Sequence, residues 1–163
     1  MPTTVSNPRD LLVLLLGQLL FVERRLADGV LADLIAHVRD PELQQVLRRH
    51  TEATRAHAER LEMAFRRLEL APTSNISLAF ESAVAQHAQL RGSVMEPRLA
   101  DLFHAQAALQ TEHWEIAGYR AALSLCPEPV RELLRPSLGE DNEAAKELVA
   151  SIDRLGASAP SGE

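Results

Sequence analysis

Apolar residues recur at alternating three- and four-residue spacings through four long stretches of the chain, and short breaks separate these stretches. This spacing places the apolar positions on one face of a helix, as in a helix that packs inside a bundle. Asn7-Pro8 and Asp40-Pro41 each join a capping side chain to a proline that suits the first helical position. The pattern predicts a first helix over 7–38, a second over 40–70, a short helix over 77–90, a third long helix over 97–125 and a fourth reaching 155.

The connections between these helices predict the fold. A break of one or two residues forces consecutive long helices to lie side by side and antiparallel. We therefore expect an all-α protein, an antiparallel four-helix bundle with a short extra helix in the crossover between helices two and three. Residues 1–155 form one predicted domain, followed by a flexible tail at 156–163. Pro136 and Gly139 fall in the first half of the fourth helix, which either kinks there or starts only after Pro136.

Composition supports this fold and limits the partners. The chain has 27 Leu and 24 Ala but only 14 Ile and Val, which favours helices over strands. A net charge of −6 argues against a nucleic-acid partner, which requires a basic face. The longest apolar run, over 11–22, is shorter than the roughly 20 residues that a membrane span needs. The single cysteine, Cys126, fits a reducing compartment, so we expect a cytoplasmic protein. From the net charge and the short apolar run we expect no nucleic-acid partner and no membrane partner.

Polar residues interrupt the apolar face of each long helix near its middle. They are Glu23 in the first helix, His50, Thr54 and His57 in the second, Glu112 and Glu115 in the third, and Glu140 and Asp141 in the fourth. The midpoints of antiparallel helices lie at about the same height. We therefore expect these side chains to meet in one polar layer inside the core.

Buried carboxylates need compensation, because an ionised carboxylate in an apolar interior costs several kcal/mol unless it is paired or bound to a metal. No Lys or Arg lies on these faces. The carboxyl groups therefore either hold protons or surround a cation. Carboxylates and imidazoles in a bundle core are the ligand set of di-iron and di-manganese sites.

Each polar residue also has a simpler interpretation when it is taken alone. Glu23 reaches solvent if the first helix is rotated by one position, although Arg24 and Arg25 mark the outward face. His50 and His57 are each compatible with an ordinary core histidine. Glu140 and Asp141 become charges at a helix N-terminus if the fourth helix starts at Pro136.

Other residues lie outside the polar layer. His37, His87 and His104 have no partner in this scheme and are expected at the surface. Leu78, Phe80 and Val84 on the short helix are expected to be exposed apolar groups, which either form a subunit interface or cap the bundle.

Five stretches of the chain resemble the YciE/YciF type of ferritin-like proteins over about residues 8–155. They are LLFVERRL, HTEATRAHAERLE, ISLAFESAV, QTEHWEIAGYRAAL and LLRPSLGEDNEAAKEL. The resemblance implies a rubrerythrin-like four-helix bundle, commonly a homodimer, with a di-iron or di-manganese centre and a stress-related role. Glu23, Glu112, Glu115 and Glu140 match positions where that family carries its ligand carboxylates.

The chain departs from the family at two inward-facing acids, where Ala53 and Ala145 stand instead. Either His50 and His57 complete a reduced site, or the bundle has lost its metal.

The leading hypothesis is an iron or manganese site that oxidises Fe(II) or removes peroxide. The expected bridging ligands are Glu23 and Glu112, the terminal ligands Glu115 and either Glu140 or Asp141, and the nitrogen donors His57 and His50. Tyr119, one turn beyond Glu115, can hydrogen-bond a ligand or take part in redox chemistry. The alternative is a metal-free dimeric bundle with a structural or interaction role in stress.

Overall fold

Every regular element of the described residues, 4–157 of this computed structural model, is helical. The helices are α1 (Pro8–Arg25), α2 (Leu31–His37), α3 (Pro41–Arg67), α4 (Leu78–Leu90), α5 (Pro97–Leu125) and α6 (Glu128–Ala157). A π-helical turn, Leu26–Val30, joins α1 to α2, and a 3-10 turn, Arg91–Ser93, follows α4. The predicted all-α fold is confirmed.

Side-chain caps fix where the helices begin. Asn7, Asp40, Ser77 and Glu96 each accept a hydrogen bond from the backbone N–H three residues further on. Prolines occupy the first positions of α1, α3 and α5, where the missing N–H costs no helical hydrogen bond. The breaks read from the sequence are therefore set by local chemistry.

The first predicted helix is not continuous, which corrects the expectation of one helix over 7–38. The π-helical turn adds a residue between Leu26 and α2, and the backbone kinks at Gly29. The buried face consequently moves by one position, so that Leu31 is buried and Val30 only half-buried.

The four long rods form an antiparallel bundle. The α1–α2 rod packs against α3, α1 also packs against α5, and α6 packs against both α3 and α5. Two ion pairs show that α3 and α6 are antiparallel: Glu140 of α6 contacts Arg60 at 2.7 Å, whereas the later Glu147 contacts the earlier Arg49 at 2.9 Å. Helix α4 lies in the crossover between α3 and α5, as predicted.

Two separate apolar clusters fill the ends of the bundle. One includes Leu26, Leu31, Leu43, Leu47 and Leu148. The other includes Leu16, Leu20, Leu61, Phe65 and Leu134. The polar layer therefore lies between these two apolar clusters, which separate it from water at both ends of the bundle.

The fourth helix is unbroken. Pro136 lies inside α6, which starts at Glu128 and therefore neither begins nor ends at the proline. The helix also continues through Gly156 and Ala157, where a flexible tail was expected. The rest of that tail, 158–163, lies outside the described residues, and the domain boundary at 155 stays a prediction. No helix among residues 4–157 is long and apolar enough to cross a membrane.

The connector helix caps the bundle through one aromatic side chain. Phe80 is fully buried, with its ring centroid 6.5 Å from that of Phe21 and 6.3 Å from that of Trp114. Val84 is half-buried against the core, whereas Leu78 is 76% exposed. The expectation that all three apolar side chains are exposed is therefore wrong for Phe80.

Candidate metal centre

Six of the seven predicted ligands meet in two buried groups within the polar layer. The first group is Glu23, His57 and Asp141. The second group is His50, Glu112 and Glu115. Within each group, one oxygen or nitrogen atom from every residue lies within 4.8 Å of the others. No member is more than 4% exposed.

Helical spacing explains how the chain assembles these groups. Glu112 and Glu115 are three residues apart on α5, so their carboxylates share one face. His50 and His57 are seven residues apart, about two turns of α3, so each faces a different group from the same side of the helix. Glu23 from α1 and Asp141 from α6 complete the first group across the bundle.

His57 connects the first group to the outside. Its Nδ1 lies 3.2 Å from Glu23 Oε1 and 3.3 Å from Asp141 Oδ1, while its Nε2 lies 2.7 Å from Glu140 Oε2. Burial acts to lower the pKa of His57, but the hydrogen bond and negative charge of Glu23, with Asp141, outweigh burial and raise that pKa to about 9. In the metal-free protein this imidazole is protonated at neutral pH.

His50 has a similar position in the second group. Its Nε2 lies 2.9 Å from Glu112 Oε1, although the two atoms do not meet in hydrogen-bond geometry, and 3.4 Å from the Thr54 hydroxyl. Burial acts to lower the pKa of His50, and the adjacent carboxylate of Glu112 overcomes burial and raises it.

Most carboxylate oxygens of the two groups have no hydrogen-bond partner, although those of Glu112 and Asp141 that face His50 and His57 are close to an imidazole nitrogen. Among the described residues, the buried side-chain oxygens without a hydrogen bond are Glu23 Oε2 and both oxygens of Glu112, Glu115 and Asp141. Burial, reinforced by the charge of Glu23, raises the pKa of Glu115 well above its usual range. Burial also raises the pKa of Asp141 to about 8. Buried polar atoms normally have hydrogen-bond partners, so these two groups could hold a cation.

Glu140 lies behind His57 and in neither group. Its side chain is 41% exposed and forms two hydrogen bonds with the guanidinium of Arg60, at 2.7 and 3.1 Å. Arg60 holds the pKa of Glu140 below its usual range and also donates to Ser137. Of the predicted pair Glu140 or Asp141, the structure brings only Asp141 into a group. Arg60 could not be recognised as part of this arrangement from the sequence alone. Its position one turn after His57 on α3 is the feature that places it on the same side of the helix.

Tyr119 contacts the first group directly. Its hydroxyl donates to Glu23 Oε1 at 2.7 Å, and its ring meets that of His57 edge to face with centroids 6.0 Å apart. The side chain is fully buried, and burial raises the pKa of the phenol well above its usual range. The hydrogen bond expected from Tyr119 is therefore present, and its acceptor is the predicted ligand Glu23.

A surface groove lies next to the second group. A cavity of about 380 Å³ between α1 and α5 is lined by Glu115 together with Leu19, Val22, Trp114 and Gly118. A Cβ atom at Gly118 would lie 2.8 Å from Leu19 Cδ2, so glycine keeps this wall close to α1. The oxygens of Glu115 are buried beneath this groove, so the groove comes near the second group without exposing its carboxylates.

Comparisons with solved structures show the same fold in distant proteins. The E. coli stress protein YciF matches with a TM-score of 0.87 and 21% identity, covering 95% of this chain and 100% of that one. YcfI from Rhodopseudomonas palustris matches with a TM-score of 0.78 and 22% identity, covering 98% and 99%. A two-domain protein of Anabaena variabilis with DJ-1/ThiJ/PfpI-like and ferritin-like domains matches with a TM-score of 0.53 and 17% identity, covering 97% of this chain and 41% of that one.

These likenesses confirm the ferritin-like bundle and the resemblance to the YciF type. No curated protein matches the sequence. The family model described as "Domain of unknown function (DUF892)" matches residues 7–159, nearly the whole chain. The chain therefore belongs to the DUF892 family.

Proposed function

We propose that this protein holds a pair of iron or manganese ions between its two buried groups. The main evidence is that buried carboxylate oxygens without hydrogen-bond partners lie close to two imidazoles, between the two apolar clusters. Four carboxylates, those of Glu23, Glu112, Glu115 and Asp141, balance the charge of two divalent cations. Oxygen-rich sets with one histidine per ion suit iron and manganese.

His57 would bind through Nδ1, the nitrogen that faces Glu23 and Asp141. Its Nε2–H then donates to Glu140, which Arg60 holds in place. A carboxylate behind a ligating histidine fixes the ring and raises its basicity. In this proposal Glu140 is a positioning residue, which replaces its expected role as a ligand.

Iron or manganese at such a pair supplies redox chemistry, in which Fe(II) is oxidised by oxygen or peroxide, or peroxide is removed. The chain's own groups prepare the site for that chemistry. Tyr119 orients Glu23 through its hydroxyl, the groove between α1 and α5 lies next to Glu115, and the apolar clusters at both ends exclude bulk water. A stress-related role is proposed by analogy with the E. coli stress protein YciF, whose fold the chain shares.

Metal analysis of the purified protein tests the proposal. We expect about two ions per chain after loading with Mn²⁺ or anaerobic Fe²⁺, the stoichiometry of a dinuclear bundle site. The double variant Glu23→Ala/Glu112→Ala should lose most of this metal, while Glu52→Ala/Glu132→Ala, which alters exposed carboxylates on α3 and α6, should retain it. Sub-stoichiometric metal in the unaltered protein and both variants would overturn the proposal.

Arg60 offers a finer test of the positioning role. Arg60→Met removes the guanidinium that holds Glu140 behind His57 and leaves all six proposed ligands in place. We expect metal affinity to fall by about 10- to 100-fold, as for other outer-shell partners of ligating histidines. Unchanged affinity would show that Arg60 does not position Glu140 for its contact with His57.

The metal-free dimeric bundle remains the alternative hypothesis, and a chelator distinguishes the two. A metal that binds only the native state raises the melting temperature. A melting temperature unaffected by chelator and by added Mn²⁺ would favour the alternative. The homodimer and the cytoplasmic location stay predictions, and light scattering of the purified protein tests the former.

A further inference from the structure

Three histidines that were expected at the surface lie near one another at the end of the bundle opposite the N-terminus of α1. His104 of α5 is only 3% exposed, so the expectation that it lies at the surface is wrong. His87 of α4 is half-buried beside it. His87 Nε2 and His104 Nδ1 lie 3.0 Å apart. His37, in the exposed last turn of α2, has its ring centroid 6.3 Å from that of His104.

The two closer imidazoles are neutral at physiological pH. Burial lowers the pKa of His104 to about 4, and the adjacent His87 acts in the same direction. Burial also lowers the pKa of His87, helped by the positive charge of Arg91. Neutral imidazoles keep a nitrogen lone pair, which is the form that coordinates metal ions.

The spacing of these nitrogens is close to that of two ligands on one ion. Zn–N bonds of about 2.0–2.1 Å at a tetrahedral angle separate the two nitrogens by roughly 3.3 Å. The observed 3.0 Å differs from that value by a few tenths of an ångström, within the range of small side-chain rotations. In the metal-free protein a single proton between the rings takes the place of the ion.

His37 is further away: among the described residues, the donor atoms of His37, His87 and His104 do not all lie within 4.8 Å of one another, so the exposed His37 side chain must rotate to supply a third nitrogen. Its Nδ1 lies 2.7 Å from the carbonyl oxygen of Asp33 on its own helix, which leaves Nε2 for a further partner. The nearby carboxylates are already engaged: Asp33 pairs with Arg91, and Asp101 accepts the backbone N–H groups of Arg39 and Asp40. The donors left for a cation are therefore nitrogens.

We infer that His87 and His104 bind a divalent transition-metal ion of the Zn²⁺ type, with His37 as a third ligand after rotation of its exposed side chain, at a site separate from the carboxylate-rich centre. Imidazole-only donors favour zinc, copper or nickel, whereas the oxygen-rich centre suits iron or manganese. The ion would link α2, α4 and α5. It would thus fasten the connector helix over the cavity of about 240 Å³ that His87 and Val84 line together with residues of α2 and α5.

Calorimetric titration with Zn²⁺ tests the inference most directly in the Glu23→Ala/Glu112→Ala protein, whose carboxylate centre is disabled. We expect one Zn²⁺ site to remain there. His87→Gln/His104→Gln should weaken it by more than about tenfold, since even outer-shell partners are worth about 10- to 100-fold in affinity. His113→Gln, which alters an exposed histidine on the same helix as His104, should leave it unchanged.

A folding failure of these variants does not block the test. The single variant His87→Gln in the otherwise unaltered chain changes only a half-buried side chain, and it should lower the Zn²⁺ stoichiometry by one site. Zinc binding that is equal in His87→Gln, His113→Gln and the unaltered chain would overturn the inference. Iron or manganese content of the His87→Gln protein reports on the carboxylate centre separately, so failure of one proposal is distinguishable from failure of the other.

Discussion

Replacing Glu115 by methionine should stabilise the metal-free protein and weaken its response to metal. Glu115 is 1% exposed, both of its oxygens lack hydrogen-bond partners, and burial raises its pKa. Methionine has a similar length and no polar oxygen. The variant therefore removes the cost of the buried carboxyl without opening a large cavity.

The size of the expected stabilisation follows from the free-energy cost of burying the Glu115 carboxyl group, which the variant removes. A buried polar group without a partner costs about 1–3 kcal/mol, and replacing buried ionic groups by apolar ones stabilises other proteins by about 1–4 kcal/mol. We expect the metal-free free energy of unfolding to rise by about 1–3 kcal/mol. At this chain length each kcal/mol raises the melting temperature by roughly 2–4 °C.

Metal narrows the difference in stability between the two proteins. The unaltered protein gains about 2.7 kcal/mol at a metal concentration one hundred times its Kd, whereas Glu115→Met, with one ligand fewer, gains less. Urea denaturation and thermal melting, with chelator and with Mn²⁺, measure both effects, and Glu132→Met provides an exposed control. If Glu115→Met destabilises the metal-free protein by more than about 1 kcal/mol, the carboxyl has partners that offset its burial, and the reasoning fails.

Three further substitutions test the scaffold. Asp40 caps α3 and pairs with Arg154, whose hydrogen bonds hold the pKa of Asp40 below its usual range. Asp40→Asn should therefore lower the free energy of unfolding by about 1 kcal/mol at pH 7. The urea midpoints of the variant and the unaltered protein should converge below about pH 4, where Asp40 takes up a proton. A difference between the two midpoints that persists at pH 2 would contradict this. Pro136→Ala restores a helical N–H at an exposed position of α6. It should raise the free energy of unfolding by about 1–3 kcal/mol and therefore the melting temperature. A lower melting temperature would show that the proline is needed for the packing of the bundle. Tyr119→Phe removes the hydrogen bond to Glu23 and should cost about 1–2 kcal/mol in urea denaturation, so an unchanged midpoint would refute that bond.

The helices and their polar layer could be predicted because their signals are local. Capping residues and prolines mark the helix starts, and the spacing of apolar positions shows which face of each helix is buried. Glu23 and Glu112 interrupt those faces, so their burial could be read without knowing which helix packs beside which. The π-helical turn could not be read, because the spacing around Gly29 also fits an uninterrupted helix.

Features that depend on two distant side chains could not be predicted. Glu140 and Asp141 are adjacent in sequence, yet one pairs with Arg60 at the rim while the other faces His57 in the core. The contact between His87 and His104 arises only because the crossover lays α4 against α5. Rotation about a helix axis, set by packing, decides each of these outcomes.

The sequence by itself determined that four amphipathic rods carry buried acids and histidines at one level, because helical periodicity maps chain position onto height and face. Only the tertiary structure decided that six of those side chains divide into two groups, that Arg60 draws Glu140 away from them, and that three other histidines gather elsewhere. Such partnerships depend on the separation and rotation of helices that are far apart in the chain, and the periodicity of a single helix carries no information about either.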